Sequence, residues 1–242
     1  VTRHEFLAAL HDLLRPKVYL EVGVHEGASL ALAVHSTVAI GIDPKPLTTS
    51  VGNQNIYTMT SDAYFAGPPN GPAPSLHLPI DLAFIDGSHL FEDALRDFIN
   101  IERYCGPNSV VVFDDVLPYN QAIAERIQPE GDWTGDVWKV WSILQDYRGD
   151  LEIHAVDTFP TGTLVVFGFL GDTEMRNVLI TKYDKIVSDW SDDDAVPGYV
   201  LRRDNALHPE SALDLVKENV CASPSPEGPA SSAGPSSTEP EA

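Results

Sequence analysis

The stretch Tyr19-Leu20-Glu21-Val22-Gly23-Val24-His25-Glu26-Gly27-Ala28-Ser29 decides the fold. Its first half continues a short apolar run, Lys17–Gly23, that predicts a strand. Gly23 and Gly27 then frame a tight turn leading into a helix, and glycine lets a backbone approach a ligand closely. The spacing is G-x-x-x-G, without the G-x-G-x-x-G pattern that cradles a pyrophosphate. Glu21, two residues ahead of the first glycine, would repel an anion and suits a cationic or zwitterionic ligand.

Outward from this stretch the chain alternates between two periods. Further strands are predicted at Val38–Asp43, Ile56–Met59, Asp81–Asp86, Ser109–Asp114, Leu151–Val156 and Thr163–Leu170. Several are nearly continuous in Val, Ile, Leu and Phe, as strands covered on both faces are. Phe91, Ala94, Leu95, Phe98 and Ile101 mark one amphipathic helix, and Val137, Val140, Trp141 and Leu144 another. Ser88 is the expected N-cap of the first, and Gly106-Pro107 its stop. Phe159-Pro160-Thr161-Gly162 is too short for a crossover helix, so the last two strands should pair antiparallel. The expected fold is α/β: a doubly wound, seven-stranded, mostly parallel sheet with a closing antiparallel hairpin.

In such a sheet ligands bind beyond the carboxyl ends of the strands. Those ends carry acids. Asp43 ends strand two, 20 residues after Gly23, where a carboxylate can accept from both hydroxyls of a ribose. Asp86 ends strand four in Ile85-Asp86-Gly87-Ser88-His89. Asp114 and Asp115 end strand five. These three carboxylates should converge, and repulsion between them calls for protons or a cation. Oxygen ligands without cysteine suggest a hard cation such as Mg²⁺. Turn and cap roles for Gly23, Gly27 and Asp43, capping by Asp114-Asp115, and a chemically idle His89 are the plainer alternatives.

Glu21-x-Gly23-x-x-x-Gly27 followed by Asp43 resembles the S-adenosylmethionine (SAM) site of class I methyltransferases, over about Val18 to Leu170. The resemblance implies a Rossmann-like methyltransferase fold. It implies cofactor contacts at Glu21, Gly23, Gly27, Asp43 and Asp86, and adenine recognition by Asp62. Asp86, Asp114 and Asp115 resemble the metal site of catechol-type O-methyltransferases, which carry Asn where this chain has Asp115. Asp86-Gly87-Ser88-His89 with Asp114-Asp115 is closer to macrolide-sugar O-methyltransferases. The resemblance then implies Mg²⁺ held by Asp86, Asp114 and Asp115, with Asp86 and His89 as the catalytic pair and His89 as general base. The expected activity is methylation of a small-molecule hydroxyl. A non-catalytic binding protein of the same fold is the alternative, and a nicotinamide-dependent dehydrogenase a weaker one, since its glycine pattern is missing.

The 242 residues carry 15 Lys plus Arg against 36 Asp plus Glu, a net charge of −21. That field disfavours nucleic acid and anionic membranes as partners. Two cysteines without metal spacing point to free thiols in a reducing compartment, and Val1-Thr2-Arg3-His4-Glu5 has no apolar signal core. A cytoplasmic location is therefore expected. One domain over 1–221 is expected, with a core at 17–170 and a helical extension at 171–221. That extension packs on the core or forms a homo-oligomer contact. Residues 222–242, with five Pro and six Ser, should be a disordered tail. Ala66–Pro79 is a Pro-rich loop, and Asp192-Asp193-Asp194 a solvated acidic run. Leu117–Asp136 is a candidate lid, in which Tyr119 and Trp133 either stack on an acceptor or simply pack.

Overall fold

The computed structural model describes residues 1–67, 79–170, 173–190 and 195–221. Most of Ala66–Pro79, the run Asp192–Asp194 and the tail lie outside them. Seven strands, β1 (Val18–Val22), β2 (Val38–Ile42), β3 (Gln54–Tyr57), β4 (Ile80–Ile85), β5 (Cys105–Phe113), β6 (Glu152–Val156) and β7 (Thr163–Phe167), form one sheet in the order β3-β2-β1-β4-β5-β7-β6. The first five are parallel, and β7 runs antiparallel to both β5 and β6. This is the doubly wound sheet with its closing hairpin. The order reverses between β1 and β4, so the ligand crevice opens above those two strands.

Side chains alternate across the sheet. Leu20, Val22, Val111 and Phe113 face one core layer, where α3 (Phe91–Glu102), α4 (Trp138–Tyr147) and α5 (Thr173–Trp190) bury Phe98, Val140 and Ile186. Tyr19, Phe84, Val110 and Val112 face the other, covered by α1 (Arg3–Leu14) through Phe6, Leu7 and Leu10 and by α7 (Pro209–Val216) through Ala212 and Val216. Leu179, Ile186 and Val200 join the core, so the extension after β7 packs on the sheet. Two short helices, α2 (Ser61–Ala66) and α6 (Gly198–Leu201), complete the fold. Among the described residues no helix is long and apolar enough to cross a membrane.

Three local expectations change. The helix expected after Gly27 is a single 3₁₀ turn, Leu30–Leu32. Only ten residues separate Gly27 from Val38, and the Asn53 side chain takes the carbonyls of Ala33 and Ser36 that a longer helix would occupy. Strand three lies at Gln54–Tyr57 rather than Ile56–Met59, because pairing with Ala39–Ile42 sets its extent, not hydrophobicity. Ser88 is not the N-cap of α3. Leu90 holds that position, and the first helical N–H, of Phe91, donates to Asp136 Oδ1 at 2.9 Å, 45 residues on. The Ser88 hydroxyl donates instead to Asp93 at 2.7 Å.

Candidate active site

The crevice above β1 and β4 is built on two close approaches. Gly23 has φ +89°, and a Cβ there would lie 1.7 Å from the Asp86 carbonyl oxygen. Only glycine lets the end of β1 pass this close to the end of β4. Gly27, at φ +80°, turns the chain against Thr48. The loop between them is braced by Asp43. Its Oδ2 accepts from the N–H groups of Val24 and His25, both at 2.9 Å, and its Oδ1 from Lys45 at 2.7 Å. A carboxylate offers about four acceptor positions, so about one remains for a ligand.

Glu21 lies beneath this loop, fully buried. Tyr19 donates to one of its oxygens at 2.6 Å and Ser29 to the other at 2.9 Å. Burial pushes its pKa up to about 8, so the hydroxyl contacts do not offset lost hydration. Ser29, not Glu21, lines the crevice. Asp62 stands at the first turn of α2, paired with Arg96 at 2.8 Å.

Two cavities meet over these residues. The larger, about 590 Å³, is lined by Gly23, Val24, His25, Ser29, Asp43 and Asp86. A cleft of about 280 Å³ continues past Asp43 and Pro44 to Asp62 and Asp97. Asp43 lies at their junction. Each is comparable to the roughly 300–1,000 Å³ typical of small-molecule sites.

The second half of the site gathers charge. Asp114 and Asp115 follow β5, and Asp115 takes a left-handed backbone, φ +64°. His89 does the same at φ +61°. Such angles in non-glycine residues cost about 1–3 kcal/mol and cluster at functional sites. His89 Nδ1 lies 2.8 Å from the Trp133 carbonyl oxygen and 3.1 Å from Asp115 Oδ2. Both are acceptors, so Nδ1 carries the proton and Nε2 is left as the basic nitrogen. Nε2 sits 3.5 Å from Asp86 Oδ1. Trp133 stacks on the imidazole, centroids 4.9 Å apart. The Leu117–Asp136 segment closes over His89 through Gly135, where a Cβ would meet the His89 carbonyl oxygen at 1.7 Å. Trp133 lines the large cavity, whereas Tyr119 donates to Asp132 at 2.9 Å and does not line it.

Burial, with Asp86 nearby, raises Asp115 to about 7. Burial, then Asp115 and Asp86, hold Asp114 well above the carboxylate range. Among the described residues, one ligand atom each from Asp86, His89 and Asp115 lie within 4.8 Å of one another. Asp114 is outside that group. Its Oδ2 is paired with the Arg3 guanidinium, and its Oδ1 is buried with no polar partner. The donor set assembled here is two carboxylates and an imidazole, not three carboxylates. It does not fit the all-oxygen environment Mg²⁺ prefers.

Arg3 is a site residue that the strand and loop motifs do not reach. Its signal is the pattern Thr2-x-x-Glu5 before Phe6, Leu7 and Leu10. Thr2 and Glu5 form a reciprocal capping box that starts α1. The Arg3 N–H donates to Phe159 O at 3.1 Å, tying that start to the β6–β7 turn. Arg3 and His4 thus line the large cavity and a second one of about 430 Å³, with Asp115, Asp132, Trp133, Phe159 and Thr161.

Comparison with known proteins agrees with this fold. Residues 20–116 match the family model described as "Methyltransferase domain". A protein of Acanthamoeba polyphaga mimivirus, described as uncharacterized protein R132, is 29% identical over 123 residues, 42% of this chain and 52% of that one. The chain thus spans about half the length of that relative. Cofactor-bound Rv0187 from MTB aligns with TM-score 0.54 and 15% identity over 70% of this chain and 80% of that one. An O-methyltransferase from Bacillus cereus in complex with S-adenosylhomocysteine (SAH) gives 0.51 and 14%, over 68% and 79%. The O-methyltransferase TomG from Streptomyces achromogenes, involved in tomaymycin synthesis and in complex with SAM, gives 0.50 and 17%, over 68% and 78%. Residues 20–116 thus resemble a methyltransferase domain, and the fold is shared with these cofactor-bound methyltransferase structures.

Proposed function

We propose that the protein methylates a hydroxyl of a small-molecule acceptor, with SAM as donor and His89 as general base. The observation that carries this reading is the His89 geometry, with Nδ1 held by Trp133 and Asp115 and Nε2 free to take a proton between the two larger cavities. The cofactor would lie along the crevice. Gly23 and Gly27 would shape its floor, Asp43 would accept from its ribose, and Asp62 would face the adenine amino group. Glu21 would act from below, by holding Ser29. Asp86, beside Nε2, would face the donor end. SAM supplies a methyl carbon already activated by its sulfonium.

The chain's own work is alignment and deprotonation. The acceptor enters the cavity beside Phe159 and Trp133, whose rings offer apolar walls for a cyclic acceptor. Its hydroxyl proton passes to His89 Nε2 as the oxygen bonds to the methyl carbon, and the carbon–sulfur bond breaks to leave SAH. Asp115 is a positioning residue, fixing the imidazole tautomer and facing the imidazolium that forms. No step here requires Mg²⁺. The net charge of −21 supports a small acceptor rather than nucleic acid, and two free thiols, Cys105 and Cys221, support a reducing, cytoplasmic setting.

The test is SAH release from SAM with a panel of phenolic and glycosylated hydroxyl acceptors, wild type against His89→Gln. Release that depends on acceptor and falls about a thousandfold in the variant is expected. Cofactor binding without release across the panel would favour the non-catalytic alternative.

A further inference from the structure

Asp86, Asp114 and Asp115 meet at the ends of β4 and β5, and the structure answers their charge with Arg3. One guanidinium nitrogen pairs with Asp114 Oδ2. The group raises the Arg3 pKa through Asp114, Asp86 and Asp115 together, although burial works against it. The opposite oxygen, Asp114 Oδ1, is buried and unpartnered. It borders a gap of about 10 Å³, lined also by Asp86, His89 and Asp115, about the room of one water or ion. Arg3 is not there by chance of a mobile side chain. The capping box and the Arg3 N–H bond to Phe159 fix its backbone.

We propose that Arg3 is a positioning residue, the built-in counter-ion of this carboxylate cluster, and that its pairing with Asp114 and the binding of a divalent cation by Asp86, His89 and Asp115 oppose each other. A guanidinium and a dication this close repel, and a carboxylate neutralised by one has less to offer the other. The consequence for turnover rests on the methyltransferase reading. The consequence for cation affinity rests on geometry alone.

The experiment is calorimetric titration of Mn²⁺ into the full chain, wild type against Arg3→Gln and Arg3→Lys, with turnover measured in EDTA and in Mn²⁺. Mn²⁺ is the probe because it accepts carboxylate and imidazole together. Arg3→Gln should bind Mn²⁺ at least tenfold more tightly than wild type, and Arg3→Lys should stay near wild type. Turnover of wild type should survive EDTA and should fall less on adding Mn²⁺ than that of Arg3→Gln, whose bound cation would occupy His89 Nε2. Arg3→Met, which keeps the aliphatic stem, repeats the titration if Arg3→Gln does not fold. Equal Mn²⁺ affinity with and without the Arg3 charge overturns the proposal, as does wild-type turnover abolished by EDTA. The titration uses neither donor nor acceptor, so a flat result leaves methyl transfer standing. Absence of turnover would instead sink methyl transfer and leave the affinity comparison intact.

Discussion

The two halves of the crevice are built on opposite terms. Above β1 to β3 three acids are provided for. Asp43 accepts three backbone N–H groups, Glu21 accepts two hydroxyls, and Asp62 is paired with Arg96. Above β4 and β5, three carboxylates face one arginine, one carboxylate oxygen has no partner, and His89 and Asp115 sit in left-handed backbones. The first half is a finished receptor whose parts hold each other in place. The second keeps buried, unbalanced charge, which folded proteins hold only where the surroundings enforce it. In the proposed reading, binding belongs to the first and chemistry to the second.

The sharpest way to break that division is at His89. His89→Gln should lower kcat about a thousandfold and leave SAH affinity within about twofold. An equal loss of cofactor affinity, seen by calorimetry, would place His89 in the receptor instead. The next largest effect belongs to the hinge shared by both halves. Gly23→Ala would drive a methyl into the Asp86 carbonyl and strain φ +89°, costing about 3 kcal/mol. A thermal melt should fall by roughly 6–12 °C. An unchanged melt would mean the β1 and β4 ends separate freely.

The third effect is a pH dependence. Burial raises Glu21 to about 8 and Asp97 to about 7, against roughly 4 in an unfolded chain. The folded state therefore binds more protons between those limits. Its stability is complete below about pH 4 and is lost as pH rises through about 8. The melting temperature should fall from pH 5 to pH 8.5, and Glu21→Gln should flatten the upper part of that fall. A flat wild-type profile would mean that the Tyr19 and Ser29 hydroxyls hold Glu21 ionised.

The contrast also explains what was legible in the residues. The sheet was, because Val110-Val111-Val112-Phe113 and its counterparts must be covered on both faces, and the short Phe159–Gly162 link permits only a hairpin. The acids at strand ends were, because a strand's end fixes where its last side chain stands. What those acids touch was not. Asp114 turns to Arg3, 111 residues away, and α3 is started by Asp136 rather than by its neighbour Ser88. Such partners depend on how α1 and the Leu117–Asp136 segment fold over the edge. Local spacing carries only a hint of this, in the Thr2–Glu5 capping box.

The claim beneath all of this is that a nucleoside cofactor lies along the β1–β2 half, with Asp43 at its middle. Calorimetric titration of SAH into the purified chain, beside Asp43→Ala, tests it most directly. Micromolar binding to wild type and none detectable in a folded Asp43→Ala variant is the predicted result. No binding to folded wild type at millimolar SAH, or equal binding by both proteins, would contradict it.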